Sequence, residues 1–120
     1  MAHVLVVEDD GDVAELVRTI LANAGHSVDI AVDGRSGIVA AGAVHPDLVV
    51  LDWMMPGMTG VEVCRVLRQD GDFADTRIMM LTAKSAPDDV ATAMAAGADD
   101  YVVKPFSPRD LRTRIAALLS

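Results

Sequence analysis

The stretch Val4-Leu5-Val6-Val7-Glu8-Asp9-Asp10 decides the fold. Four consecutive apolar residues that stop abruptly at three carboxylates read as a strand buried on both faces, as strands of a parallel sheet are. Val13, Leu16, Val17, Ile20 and Leu21 follow at helical spacing. Gly25 closes that helix, and either Asp10 or Asp12 is placed to cap its start. The same unit then recurs. Ser27 to Ala31 reads as a strand and Gly34 to Ala43 as a helix; Leu48 to Leu51 is a second fully apolar strand, after Pro46-Asp47. Gly60 to Leu67 is a helix with Val63, Val66 and Leu67 apolar, and Ile78 to Leu81 is a strand. Pro87 to Ala96 is a helix stopped by Gly97, and Tyr101 to Val103 is a short strand. Pro108 to Leu119 closes the series, with Leu111, Ile115 and Leu118 on one face and proline near the helix start. Five strands alternating with five helices predict an α/β fold, a doubly wound five-stranded parallel sheet with right-handed crossovers.

Composition narrows the function. The chain has 120 residues, the size of one domain, and residues 1–120 read as a single unit with no linker or low-complexity segment. Hydrophobic residues make up 52%, which excludes a disordered acidic tail, and aromatics only 3%, so aliphatic residues and methionine must build the core. A formal charge of -8 disfavours non-specific binding to nucleic acid or anionic membrane. The lone cysteine, Cys64, excludes an internal disulfide and reads as a small buried hydrophobe. No apolar run approaches membrane-spanning length and no basic leader precedes the first strand, so a soluble cytoplasmic domain is expected. The chain is expected to be either a stand-alone protein or a piece cut at a domain boundary.

In a doubly wound sheet, ligands bind beyond the carboxyl ends of the strands. The residues there are Glu8, Asp9 and Asp10 after the first strand, Asp52 after the third, Thr82 after the fourth and Lys104-Pro105 after the fifth. Each alone reads as a turn, cap or surface residue. Together they place several carboxylates, a hydroxyl and an ammonium on one edge. Unneutralised, Glu8, Asp9 and Asp52 would repel one another, and a hard divalent cation such as Mg²⁺ is the natural counter-charge for oxygen ligands. His3, His26 and His45 lie near strand starts, at the opposite edge. The seven methionines read as packing, except Met54 and Met55 in the active loop, and Trp53 is placed partly exposed over the site.

With these residues in view, the chain resembles the receiver domain of two-component response regulators over essentially its whole length. The resemblance rests on Glu8-Asp9, on Leu51-Asp52-Trp53-Met54-Met55-Pro56-Gly57 with Gly60 beyond, on Thr82-Ala83, on Gly97-Ala98-Asp99-Asp100-Tyr101 and on Lys104-Pro105-Phe106. It implies a flavodoxin-like (βα)5 domain with strand order 2-1-3-4-5. Asp52 would accept a phosphoryl group from a phosphohistidine on a sensor histidine kinase, in a two-component phosphorelay. Glu8, Asp9, Asp52 and the backbone carbonyl of Met54 would hold Mg²⁺, and Thr82 and Lys104 would engage the phosphoryl oxygens. A cis peptide before Pro105 would aim Lys104. Thr82 and Tyr101 would form the switch that remodels the surface of the fourth helix, fifth strand and fifth helix to control an output partner or domain. The resemblance further implies no direct nucleic-acid contact by this domain and no membrane partner. The expected reading is "no enzyme, but a switch that catalyses its own phosphotransfer and slow autodephosphorylation".

Other readings fit less well. A flavodoxin-like electron carrier needs a hydroxyl- and glycine-rich phosphate loop where Glu8-Asp9-Asp10 stand. An aspartyl-phosphate phosphatase of the haloacid dehalogenase type needs an acid two residues after its nucleophile, where this chain has Met54. A degenerate docking-only receiver would lack part of the constellation, and none is missing. Asp99, Asp100, Asp110 and Arg114 fit the charged pattern through which receivers fused to winged-helix domains dimerise. Val90 stands where that pattern wants a basic residue, so a monomer or a weak phosphorylation-dependent homodimer is expected.

Overall fold

The computed structural model describes all residues, 1–120. The strands are β1 (His3–Val7), β2 (Ser27–Ala31), β3 (Leu48–Leu51), β4 (Arg77–Thr82) and β5 (Asp100–Val103). The helices are α1 (Gly11–Asn23), α2 (Gly34–Val44), α3 (Gly60–Gln69), α4 (Pro87–Ala96) and α5 (Pro108–Leu119). The strands form one parallel sheet in the order β2-β1-β3-β4-β5, as expected. The apolar run Val4–Val7 of β1 and fully apolar β3 lie side by side, with Val4 opposite Leu48 and Val7 opposite Leu51. Their alternating side chains feed two cores. Leu5, Val7, Val49 and Leu51 pack towards α2, α3 and α4; Val4, Val6, Leu48 and Val50 pack towards α1 and α5.

Local signals fix the helix starts. Asp10, rather than Asp12, caps α1, its carboxylate accepting from the amides of Asp12 and Val13. Thr59 and Glu62 form a reciprocal capping box on α3. Two of the apolar residues named in the helical patterns are half-exposed. Leu16 lines an open apolar depression of about 450 Å³ with Val13, Ala83, Pro105 and Phe106, and Val66 points off the α3 core stripe. A single 3-10 turn, Gly71–Phe73, is an addition no periodicity announced: it is too short for one, and it buries Phe73 beneath a stacked His45.

Cys64 is fully buried on α3 and its Sγ donates to the carbonyl of Ala96 at 3.4 Å. Burial pushes its thiol up to about 11, so about one thiol in a thousand is ionised at pH 8. Native protein at pH 8 is therefore expected to leave an aromatic disulfide reagent unreacted until denaturant opens the α3–α4 contact, after which one equivalent reacts. Rapid reaction of the folded protein would contradict this packing.

Candidate functional site

Three of the candidate residues, Glu8, Asp52 and Lys104, extend their strands by one backbone hydrogen bond each, and this brings them to one edge. The Glu8 amide donates to Ala31 O at 3.0 Å, the Asp52 amide to Val7 O at 3.0 Å and the Lys104 amide to Thr82 O at 2.9 Å. The sheet thus ends in a row of functional groups whose backbones are tied into its hydrogen-bond ladder. Gly60 closes the floor. Its amide donates to Trp53 O at 3.0 Å, and a Cβ there would stand 2.1 Å from Asp52 O, so only glycine lets α3 begin this close to the end of β3.

Glu8, Asp9 and Asp52 offer carboxylate oxygens that all lie within 4.8 Å of one another. Glu8 and Asp52 are buried, at 3% and 7% exposure, while Asp9 is open to solvent. Lys104 Nζ reaches them from the end of β5, 2.6 Å from Glu8 Oε1 and 3.6 Å from Asp52 Oδ2. The Lys104–Pro105 peptide is cis. The second Asp52 oxygen, Oδ1, accepts from the Met54 amide at 3.4 Å. Thr82 is fully buried, and its Oγ1 accepts from the Lys84 amide at 3.3 Å. Tyr101 is half-buried and donates its hydroxyl to Lys84 O at 2.8 Å rather than to Thr82. Burial raises the Tyr101 phenol above its ordinary value, with Asp89 adding to the effect.

Burial also lifts the Glu8 carboxyl from about 4.5 up to about 7, with Asp52 adding to the rise and Lys104 opposing it. One ammonium does not neutralise the three carboxylates. A hard all-oxygen donor set with surplus negative charge fits a divalent cation of the Mg²⁺ kind.

Some of this lay outside the sequence reading. Lys84 Nζ sits 5.0 Å from the centroid of the Trp53 ring and 3.7 Å from Asp89 Oδ1, bridging the loop after β3 to α4. Arg68 ties the end of α3 to the α4–β5 corner. A lone cation, on an amphipathic helix as Arg68 is or in a loop as Lys84 is, reads as solvated, so neither link had a signal. Asp100 and Asp110 both pair with Arg114 inside the chain, at 3.0 and 3.1 Å. The three histidines stand away from the site: His3 pairs with Asp29 at 2.6 Å, and His26 Nδ1 accepts from the Ala2 amide.

A buried acidic cluster at the carboxyl edge of a 2-1-3-4-5 sheet, with a lysine crossing from the last strand, is the architecture of a signal receiver. The profile of the response regulator receiver domain matches residues 4–116, and the chain belongs to this family, the phosphorylated receiver domains of two-component response regulators. The DNA-binding response regulator MtrA of Mycolicibacterium paratuberculosis is 44% identical over 117 residues, 98% of this chain and 51% of its own length. Response regulator MprA of Mycolicibacterium vanbaalenii is 46% identical over 98% of this chain and 50% of its own. The chain thus spans about half the length of the curated relatives it matches. Among solved structures, the chemotaxis response regulator CheY4 of Vibrio cholerae superposes with a TM-score of 0.94 at 34% identity, covering 99% of both chains. The receiver domain of Francisella response regulator 1452 gives 0.91 at 29% identity, over 99% of this chain and 97% of that one. Receiver domains bind Mg²⁺ at an acidic cluster and interact with histidine kinases, and this chain carries such a cluster. No helix is long and apolar enough to cross a membrane.

Family membership corrects one expectation. "No enzyme" and "catalyses its own phosphotransfer and slow autodephosphorylation" are incompatible halves of one statement. The receiver match defines a domain phosphorylated on aspartate and does not sustain that mixed description.

Because the folded protein holds the Glu8 proton more tightly than the unfolded chain does, stability from this group is greatest below about pH 4.5. It falls as pH rises towards 7 and is level above. The loss is on the order of 3 kcal/mol. In chelator, Glu8→Gln is expected to raise the melting temperature relative to the parent more at pH 8 than at pH 5, and added Mg²⁺ to shrink the pH 8 gain. Thermal melts with equal offsets at both pH values would show that Glu8 does not carry this charge.

Proposed function

We propose that this chain is a phosphorylation-dependent switch in which Asp52 is the phosphoacceptor, residues 1–120 acting as one receiver domain. The observation that carries the reading is the buried Asp52 carboxylate, set 3.6 Å from the Lys104 ammonium and within 4.8 Å of two further carboxylates at the sheet edge. Glu8, Asp9, Asp52 and the backbone carbonyl of Met54 would hold Mg²⁺. When bound, the ion neutralises charge that would otherwise keep an anionic phosphoryl group away.

The chain's own residues account for the rest. An Asp52 oxygen attacks phosphorus; the new P–O bond forms as the P–N bond to the donor histidine breaks, and the electron pair leaves with the imidazole. Lys104, already shared between Glu8 and Asp52, follows the added negative charge onto the phosphoryl oxygens. Thr82 turns its hydroxyl towards the same group and gives up the Lys84 amide. Tyr101 then loses its reason to stay on Lys84 O, and the α4, β5 and α5 surface changes.

The chain acts in the cytoplasm, and its partner is a sensor histidine kinase. The apolar depression formed by Val13, Leu16, Ala83, Pro105 and Phe106 adjoins Lys104 and offers the kinase apolar surface beside the site. The signal passes to an output domain or protein; the printed name of the MtrA relatives makes theirs DNA-binding. The charge of -8 argues against direct nucleic-acid contact by this domain. Monomer or weak phosphorylation-dependent homodimer is the favoured assembly, because Arg114 already satisfies Asp100 and Asp110 within one chain and cross-dimer pairs must compete with that.

Acetyl phosphate with Mg²⁺ is expected to add one phosphoryl group per chain, and Asp52→Asn to abolish the addition in intact-mass measurements. Modification that persists in the variant overturns the assignment. Trp53 is the only tryptophan and follows Asp52 directly, so Mg²⁺ should change its fluorescence with a saturable curve. Asp9→Ala is expected to shift that curve to much higher Mg²⁺, and a curve indifferent to the substitution would move the cation elsewhere.

A further inference from the structure

Helix α4 is held very differently at its two ends. It alone among the five helices has no side chain capping its N-terminus; Asp10, Asp33, Thr59 and Ser107 cap the others. Its buried residues, Ala93 and Ala96, both lie in its second half. The C-terminal end is clamped. Arg68 Nε donates to Gly97 O, Nη1 to Phe73 O and Nη2 to Asp99 Oδ2, each at 2.9 Å. The same Asp99 oxygen accepts from the Ile78 amide at 2.8 Å, so the clamp is anchored in β4. Gly97, at φ +113, lies so close under the Arg68 stem that a Cβ would meet Cγ at 2.4 Å. At the other end one side chain reaches the helix from the site. Lys84 pairs with Asp89 and covers the Trp53 ring, while its backbone takes the Tyr101 hydroxyl and donates to Thr82.

We propose that α4 is a lever hinged at Gly97 by the Arg68 clamp, and that Lys84 is the strut joining its free N-terminal end to Trp53, the neighbour of Asp52. A charge pair between partly exposed side chains and a cation at 5.0 Å from a half-buried ring are both weak contacts, whereas a guanidinium with three partly buried acceptors is strong. The strut is therefore the element that yields. When it does, the lever swings about its clamped end instead of sliding along its axis. Lys84 and Arg68 are positioning residues in this device: neither needs to touch a phosphoryl group for the lever to exist in the unmodified chain.

The test uses residue-resolved amide hydrogen exchange on the unmodified full chain, so its outcome is independent of whether Asp52 is the phosphoacceptor. Asp89 and Val90 donate to Ala86 O at the free end; Gly97 and Ala98 donate to Met94 O and Ala93 O at the hinge. The free-end amides are expected to exchange at least about tenfold faster than the hinge amides, as a locally opening segment does. Lys84→Met, which keeps the aliphatic stem, should speed exchange at Asp89 and Val90 severalfold and leave Gly97 and Ala98 unchanged. Asp89→Asn should reproduce that effect and add little to it in the double variant. Arg68→Lys, which keeps the charge but not the three-way fork, should speed exchange at Gly97 and Ala98. Equal acceleration along the whole helix in Lys84→Met, or none at Asp89 and Val90, would overturn the lever.

Discussion

Two carboxylates buried side by side are the constraint on which this molecule turns. Glu8 and Asp52 end adjacent central strands, and each leaves water on folding. Such a pair stands only if positive charge is delivered to it. The chain delivers it from the far side of the sheet: Lys104 follows β5, and its ammonium crosses past the ends of β4 and β3 to reach Glu8 at 2.6 Å. That reach requires the 2-1-3-4-5 order and requires β5 to end beside Thr82. The fold and the site are therefore one problem. The same surplus of negative charge is what suits this edge to a divalent cation.

Much of this was legible in the sequence, for a physical reason. A parallel strand buried on both faces has to be apolar throughout, so Val4–Val7, Leu48–Leu51 and Ile78–Leu81 announce themselves. A strand must also stop, and in this fold the residue at which it stops faces the ligand edge. Reading strand ends thus amounts to reading the site, and it brought Glu8, Asp9, Asp52, Thr82 and Lys104 together without any alternation having to be guessed.

What stayed hidden has the opposite character. Arg68 and Lys84 act through partners far away in sequence, and a single cation offers no periodicity to find. Asp99 and Asp100 were both read as candidates for contacts between chains. Within the single chain they pair with Arg68 and Arg114, links that the sequence alone did not show. Leu16 fits the α1 stripe by spacing alone, yet it lies where the helix rises past the sheet edge and the core beneath it gives way to the β5–α5 loop.

The two faces of the sheet also differ in how firmly they are filled. On the α1 and α5 side, Val17, Ile20, Leu21, Leu111 and Ile115 interlock with β-strand valines and leucines. On the other side α3 contributes Val63, Cys64 and Leu67, but α4 contributes only Ala93 and Ala96. A methyl group buries little area and interlocks with little, so sliding or tilting a helix that presents only alanines costs far less than moving one that presents leucine and isoleucine. The element with the least apolar anchorage is the one whose loop carries Lys84 and abuts Thr82. A switch needs a part whose two positions are close in free energy, and the thin alanine anchorage of α4 suits that part better than the leucine and isoleucine anchorage of α5.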